Sequence, residues 1–271
     1  MQDVEKILAE KRKSQPDIGV TTITLNKLPI FQPTLRAKYQ EKTFESPYGK
    51  ITVKGRLGQN HKSLLEIILY LRKLYDLDEE NMSLRVLYNE YEVKKYLTTG
   101  SMTYSYEGYK QLIEDMKQAY IGLGTMPPEP IIKGITPSNN YWRKTKSNLP
   151  SIKGKELPYI PYMIVEFGSV ICYLIIKELR FTYNPKPITQ LQNGISQAVA
   201  RYLKTHKNHP SAGYHLKTLI ENLTGSIEGQ EWYNIKRLLK KDIEGLKELG
   251  ITIDFKKNRL YMIENYNVKA S

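Results

Sequence analysis

From residue 61 to 75 the apolar residues Leu64, Leu65, Ile67, Ile68, Leu71 and Leu74 recur at three- and four-residue intervals. That is the spacing of an amphipathic helix with a wide buried face. Before it, Ile51-Thr-Val-Lys alternates as a strand, Gly55 and Gly58 break the strand, and Asn60 stands where it can cap the helix. Beyond a polar stretch over 76–80 come a short strand at Leu84-Arg-Val-Leu-Tyr and a helix over 90–97 closed by Gly100. A turn at Ser101-Met-Thr-Tyr-Ser then leads to a long helix over 106–121, with Tyr109, Leu112, Ile113 and Met116 on one side. Helix, strand, helix, turn and helix in this order predict the core of a winged helix-turn-helix. After a Pro- and Gly-rich insertion over 123–161, the β-rich runs 162–173 and 174–183 supply material for a wing.

The plan repeats after Pro185 and Pro187. Leu191, Ile195, Val199 and Leu203 mark an amphipathic helix over 188–205, a shorter helix follows over 214–223 and stops at Gly225, and a long helix over 231–250 closes at Gly250. A hairpin over 251–264 has its tip at Lys257-Asn258. The first helices of the two halves start at 61 and 188 and the third near 105 and 231, so two elements keep almost one offset. In front, the first sixteen residues read as a polar helix. The β-rich run over 19–26 follows, and Leu28-Pro-Ile-Phe-Gln-Pro-Thr-Leu reads as an extended arm. The expected fold class is α+β: two tandem winged helix-turn-helix domains, 49–183 and 184–271, behind an N-terminal helix and arm, 1–48.

Composition turns attention outward. In 271 residues, Lys+Arg 41 against Asp+Glu 28 leaves a formal charge of +13, which suits a polyanionic partner. Lys outnumbers Arg and Tyr, Asn and Ile are frequent, a usage that looks like an AT-rich genome, so part of the Lys surplus reflects codon bias. A single cysteine, Cys172, excludes an internal disulfide, a Cys-based zinc cluster and an iron–sulfur site; it sits among apolar residues and reads as core. The charged N-terminus lacks a secretory signal pattern and no window approaches the ~20 apolar residues of a membrane span, so a cytoplasmic protein without membrane contact is expected.

The long helix over 231–250 is the favoured DNA reader. Trp232, Tyr233, Lys236, Arg237, Lys240 and Lys241 crowd its first half, while Asp242, Glu244 and Glu248 fall in the second, and a recognition helix enters the major groove by its N-terminal part. The hairpin adds Lys256, Lys257 and Arg259. Alone, such a helix reads as a solvated basic face; third place in a winged-helix pattern favours DNA. Arg237 is the candidate for bidentate base contact and the lysines for phosphate. The equivalent N-terminal helix offers Ser105, Tyr106, Tyr109 and Lys110, fit for weaker DNA contact or an interface. Arg143, Lys144 and Lys146, beside Trp142 in a stretch without acids, suit a backbone or minor-groove contact or a solvated loop.

Enzyme signatures are missing. There is no Gly-x-x-x-x-Gly-Lys-Ser/Thr loop and no His-x-His pair. His206, His209 and His215 lie near Pro210 without a carboxylate motif, which argues against a metal cluster. Asp254-Phe-Lys256 matches the end of a nuclease Asp/Glu-x-Lys motif, but any half-exposed strand alternates in this way. No catalytic residue, metal or cofactor is expected. The rival readings are a winged-helix transcriptional repressor and a metal-dependent nuclease.

Three segments carry a resemblance: Thr24-Leu-Asn-Lys-Leu-Pro-Ile-Phe-Gln-Pro-Thr-Leu, Ile51-Thr-Val-Lys-Gly-Arg-Leu with the helix after it, and Lys236-Arg-Leu-Leu-Lys-Lys-Asp-Ile-Glu-Gly-Leu-Lys-Glu-Leu-Gly-Ile. In this order the chain resembles the plasmid replication initiators with tandem winged helices, in particular the TrfA-like branch. The resemblance implies a non-enzymatic protein that binds direct repeats (iterons) at an origin, helps open an AT-rich segment and recruits the host initiator and replicative helicase. It implies main DNA reading by Lys236, Arg237, Lys240 and Lys241. To Ser105, Tyr106, Tyr109 and Lys110 it assigns further DNA contacts and a homodimer interface.

Overall fold

The computed structural model describes residues 15–99, 102–138, 162–206, 208–263 and 269–270. All but the last two residues of the helix expected over 1–16, the stop at Gly100 and the basic segment 141–146 lie outside the described residues. The architecture is α+β, with helices packed on several small antiparallel sheets. Among the described residues no helix is long and apolar enough to cross a membrane.

The arm contributes β1 (Thr21–Thr22) and α1 (Ile23–Lys27). The β-rich run expected over 19–26 is therefore strand only at 21–22 and helical over its second half. Thr22 is the N-cap, its hydroxyl accepting from Leu25 N–H, and Thr24 donates its N–H and its hydroxyl to Glu178. Next come β2 (Gln40–Ser46), β3 (Gly49–Gly55), α2 (Gln59–Tyr70), β4 (Leu74–Asp78), β5 (Ser83–Asn89) and α3 (Glu90–Tyr96). Helix α2 stops short of residue 75 because Lys73 N–H donates to Leu87 O at 2.8 Å and draws Leu74 into the sheet. The small strands β6 (Thr98–Thr99) and β7 (Met102–Thr103) precede α4 (Tyr106–Gln118).

Directly after α4 the chain folds back as a hairpin, β8 (Tyr120–Leu123) and β9 (Met126–Pro130), turning at Gly124 with φ +58°. The hairpin that follows the third helix therefore comes from 120–130, the last residues of the expected helix and the start of what reads as insertion, and not from 162–183. Strands β10 (Ile132–Pro137) and β11 (Tyr162–Phe167) join β5 and β4 in the order β10-β11-β5-β4, and the other sheet runs β2-β3-β8-β9.

Both β-rich runs, 162–173 and 174–183, need correction where they meet. Residues after Phe167 form α5 (Ser169–Lys177), followed by the three-residue β12 (Arg180–Thr182). Glu129 anchors the start of α5, accepting from Ser169 N–H at 2.9 Å and from its hydroxyl at 2.6 Å. The helix packs against β1, β5, β8 and β9, so Val170, Ile171, Cys172, Leu174 and Ile175 are all buried and no polar face marks the period.

The second half contains α6 (Lys186–Thr189), α7 (Gly194–Lys204), β13 (Tyr214–His215), α8 (Leu216–Thr224), α9 (Gly229–Lys241), α10 (Ile243–Glu248), β14 (Ile251–Asp254) and β15 (Arg259–Met262). Both long helices expected here are broken. At 190–193 the chain bends so that Gly194 can lie against the arm, where a Cβ would stand 2.5 Å from Thr34 C. The break at Asp242 meets that bend: its carboxylate accepts from Gln192 N–H (2.8 Å), Asn193 N–H (2.9 Å) and Asn193 Nδ2 (2.8 Å). Gly250, at φ +79°, ends α10 as expected, its N–H donating to Lys247 O. The closing sheet runs β13-β15-β14, with the short strand before α8 paired to the second strand of the hairpin. Near the C-terminus β16 (Lys269–Ala270) pairs with β12, which also holds β1. One set of buried apolar side chains runs through arm and both halves, from Ile18 to Leu260.

Candidate nucleic-acid interface

Helix α9 is amphipathic. Ile235 and Leu239 are buried, Trp232 and Leu238 pack partly on the core, and the helix rests on α7. Tyr233, Arg237, Lys240 and Lys241 are exposed and Lys236 is half-buried, positions three, four, seven and eight apart that share one side of the helix. Aromatic rings hold two of the lysines. Lys236 Nζ lies 5.3 Å from the Trp232 ring centre and 4.9 Å from that of Tyr233, itself 69% exposed, and Lys240 Nζ lies 5.3 Å from Phe255 of the hairpin.

The hairpin tip is built by Asp254, whose Oδ1 accepts from Lys256 N–H (3.0 Å) and Lys257 N–H (2.9 Å). This turns both lysine side chains into solvent and occupies the carboxylate with backbone. Asn258 completes the turn at φ +53°, and Nδ2 of this residue meets His215 Nε2 at 3.2 Å. Arg259 differs from the other candidates: it is half-buried and donates to Gly213 O at 3.3 Å, which ties the hairpin to the chain before β13.

The charge pattern of this surface is a continuous one. Elsewhere some lysines pair with acids, as in Lys54–Glu41, Lys117–Glu114, Lys217–Glu221 and Lys247–Glu244, and others, such as Lys38, Lys42 and Lys95, stand exposed and scattered. Among the described residues none of Lys236, Arg237, Lys240, Lys241, Lys256 and Lys257 has an acidic partner within 4.0 Å. The local acids, Glu228 and Glu231 before the row and Glu244 and Glu248 after it, flank it.

Helix α4 presents a different surface. Ser105 is its N-cap, accepting from Gly108 N–H at 3.0 Å, and the exposed Tyr106 ring carries Lys110 Nζ at 4.2 Å and Lys94 Nζ of α3 at 4.5 Å. Tyr109 is a correction. It is 1% exposed, its hydroxyl shares a 2.9 Å hydrogen bond with that of Tyr88, and burial pushes both phenols far above their usual range. An aromatic on the apolar side of an amphipathic helix belongs to the core here, so Tyr109 offers nothing to a ligand. Lys94 and Lys95, unnoticed in the sequence, lie on α3 nearby; an i,i+4 relation cannot reveal a contact between helices. Arg143, Lys144 and Lys146 lie outside the described residues.

His206 and His209 belong to an aromatic group. The His206 ring lies 4.8 Å from that of Tyr202, tilted by 40°, and His209 Nδ1 meets Tyr214 Oη at 3.0 Å. Burial holds His206 below the usual histidine range. Among the described residues no group of three or more His, Cys, Asp or Glu is placed to hold a metal ion.

No protein-family model and no curated protein matches the chain. Among solved structures it is similar to a crystal structure of selenomethionine derivatives of domains 2 and 3 of RctB. Identity is 10%, the match covers 86% of this chain and 88% of that one, and the TM-score is 0.47.

Proposed function

We propose that the chain binds duplex DNA without catalysis, through two winged-helix units spanning 49–183 and 184–271, and acts in the cytoplasm as a plasmid-type replication initiator on iteron repeats. The observation that carries the DNA-binding reading is the row of acid-free cations on α9 and the hairpin. That row sits on a unit whose helix–strand–helix–helix–hairpin order and β13-β15-β14 pairing suit a winged helix. In this reading Arg237 contacts a base edge, Lys236, Lys240, Lys241, Lys256 and Lys257 neutralise phosphates, Tyr233 packs on the backbone, and Ser105, Tyr106 and Lys110 add a weaker contact. The initiator role, with homodimer formation, opening of an AT-rich tract and recruitment of host initiator and helicase, is supported by the three segments that resemble the TrfA-like initiators.

The test is selection of bound duplexes from a random library by the purified protein, with and without magnesium. One enriched, uncut site of about two helical turns, bound with a steep salt dependence, is the expected result. Recurrence of that site beside an AT-rich tract, with strand opening on addition of protein, separates initiator from repressor. No enrichment, or magnesium-dependent cutting lost in Asp254→Asn, overturns the reading.

A further inference from the structure

We infer that Arg201 and Glu66 form a clasp that fixes the spacing at which the two halves engage DNA. This rests on the DNA-binding reading above and adds positioning residues to it. Arg201 lies on α7, Glu66 on α2, and the two side chains are 2% and 0% exposed.

From the second half, Arg201 reaches three residues on one side of α2: Nε donates to Glu66 Oε2 at 2.9 Å, Nη1 to Gln59 Oε1 at 2.8 Å, and Nη2 to Ser63 Oγ at 2.8 Å. Glu66 Oε1 accepts from Tyr183 Oη at 2.8 Å, in the segment that joins the halves, and stands 3.6 Å from Lys62 Nζ. Lys62 in turn donates to Thr21 Oγ1 of the arm at 2.8 Å. First half, joining segment and second half thus meet at one carboxylate, and the arm joins them through Lys62.

A bonded path continues from Arg201 to the end of α9, and α2 itself is tied separately to α4, the two helices that occupy the third position of their units. Arg201 Nη1 also meets Gln197 Oε1 at 3.3 Å, Gln197 Nε2 donates to Leu191 O at 2.9 Å, and the next two residues donate to Asp242 at the end of α9. On the other side, His61 Nδ1 accepts from Gly58 N–H at 3.0 Å, which leaves Nε2 to donate to Asp115 of α4 at 3.2 Å. Apolar contact between α2 and α7 has no direction and tolerates sliding. A planar guanidinium with several donors engaged does not, because displacement leaves a buried charge unpaired.

The experiment uses the full chain and the duplex that wild type selects, with one to five base pairs inserted between the segments protected by each half. Wild type is expected to lose about tenfold or more in affinity on such insertion, and Arg201→Met to lose less than about threefold while still binding the parent duplex, as a loosened linkage allows. If Arg201→Met does not fold by circular dichroism, Arg201→Met with Glu66→Met removes both charges together and carries the same comparison. A measurement on the intact clasp complements it: spin labels at Glu107→Cys and Lys241→Cys, with Cys172 buried, should report one narrow distance distribution. Variants that discriminate spacers as strictly as wild type, or a broad distribution, overturn the clasp alone. A wild type that selects no duplex overturns the DNA-binding reading and the clasp with it.

Discussion

Helices α4 and α9 hold the same place in their halves and have opposite chemistry. On α9 the aromatics Trp232 and Tyr233 stand beside lysines at the surface, and the cations of this helix and its hairpin lack acidic partners among the described residues. Helix α4 turns Tyr109 inward onto Tyr88 and exposes one lysine of its own above Tyr106. One position in the chain order therefore serves a surface in the second half and a core in the first.

The comparison breaks most readily at Arg237. Arg237→Ala should weaken binding to the selected duplex by about 1–3 kcal/mol and relax its sequence preference, measured by titration against the site and its single-base variants. Tyr109→Phe tests the other side. It should lower stability in urea by about 1–2 kcal/mol by leaving the Tyr88 hydroxyl unpaired in the core, and the folded fraction should keep its affinity for DNA. If Tyr109→Phe weakens DNA binding without destabilising the fold, the assignment of this residue to the core is wrong.

A third prediction concerns the buried junction between the halves. Burial brings the Lys62 ammonium down to about 7 from an ordinary 10.5, against the pull of Glu66. Below pH 7 folded and unfolded chains both hold this proton; between about 7 and 10.5 only the unfolded chain does. Stability should therefore rise with pH across that window, by no more than ~1.4 kcal/mol per unit from this group. Urea midpoints between pH 7 and 9 should flatten in Lys62→Met. The smallest effects belong to single phosphate contacts. Lys257→Ala should weaken all duplexes alike and lower the salt slope by about 1, and Lys110→Ala should change affinity less than Lys257→Ala.

What could be read from the sequence follows from which faces are polar. Helices α2 and α4 are legible because their apolar residues repeat against a polar side, wet in α4 and buried in α2. In α5 nearly every residue from Val170 to Ile175 is buried, and a β-branched apolar run without a wet face reads as strand. Asp242 fell among the acids that close the long helix, although its burial and three bonds make it the hinge between α9 and α10. The cation row was visible as composition, but its lack of acidic partners is a property of three dimensions. The clasp escaped for the same reason: Lys62 and Glu66 form an ordinary i,i+4 pair, and only the fold brings Arg201 to them across 135 residues.

The arm has a consequence for how this protein is made. Thr24 is bonded to Glu178, 154 positions later in the chain, and Val20 N–H to Phe181 O. At ~5–20 residues per second a ribosome takes roughly 8–30 s to deliver those partners. Throughout that interval Thr24 and Val20 lack these partners, so the arm takes its final place only after the chain has passed Phe181.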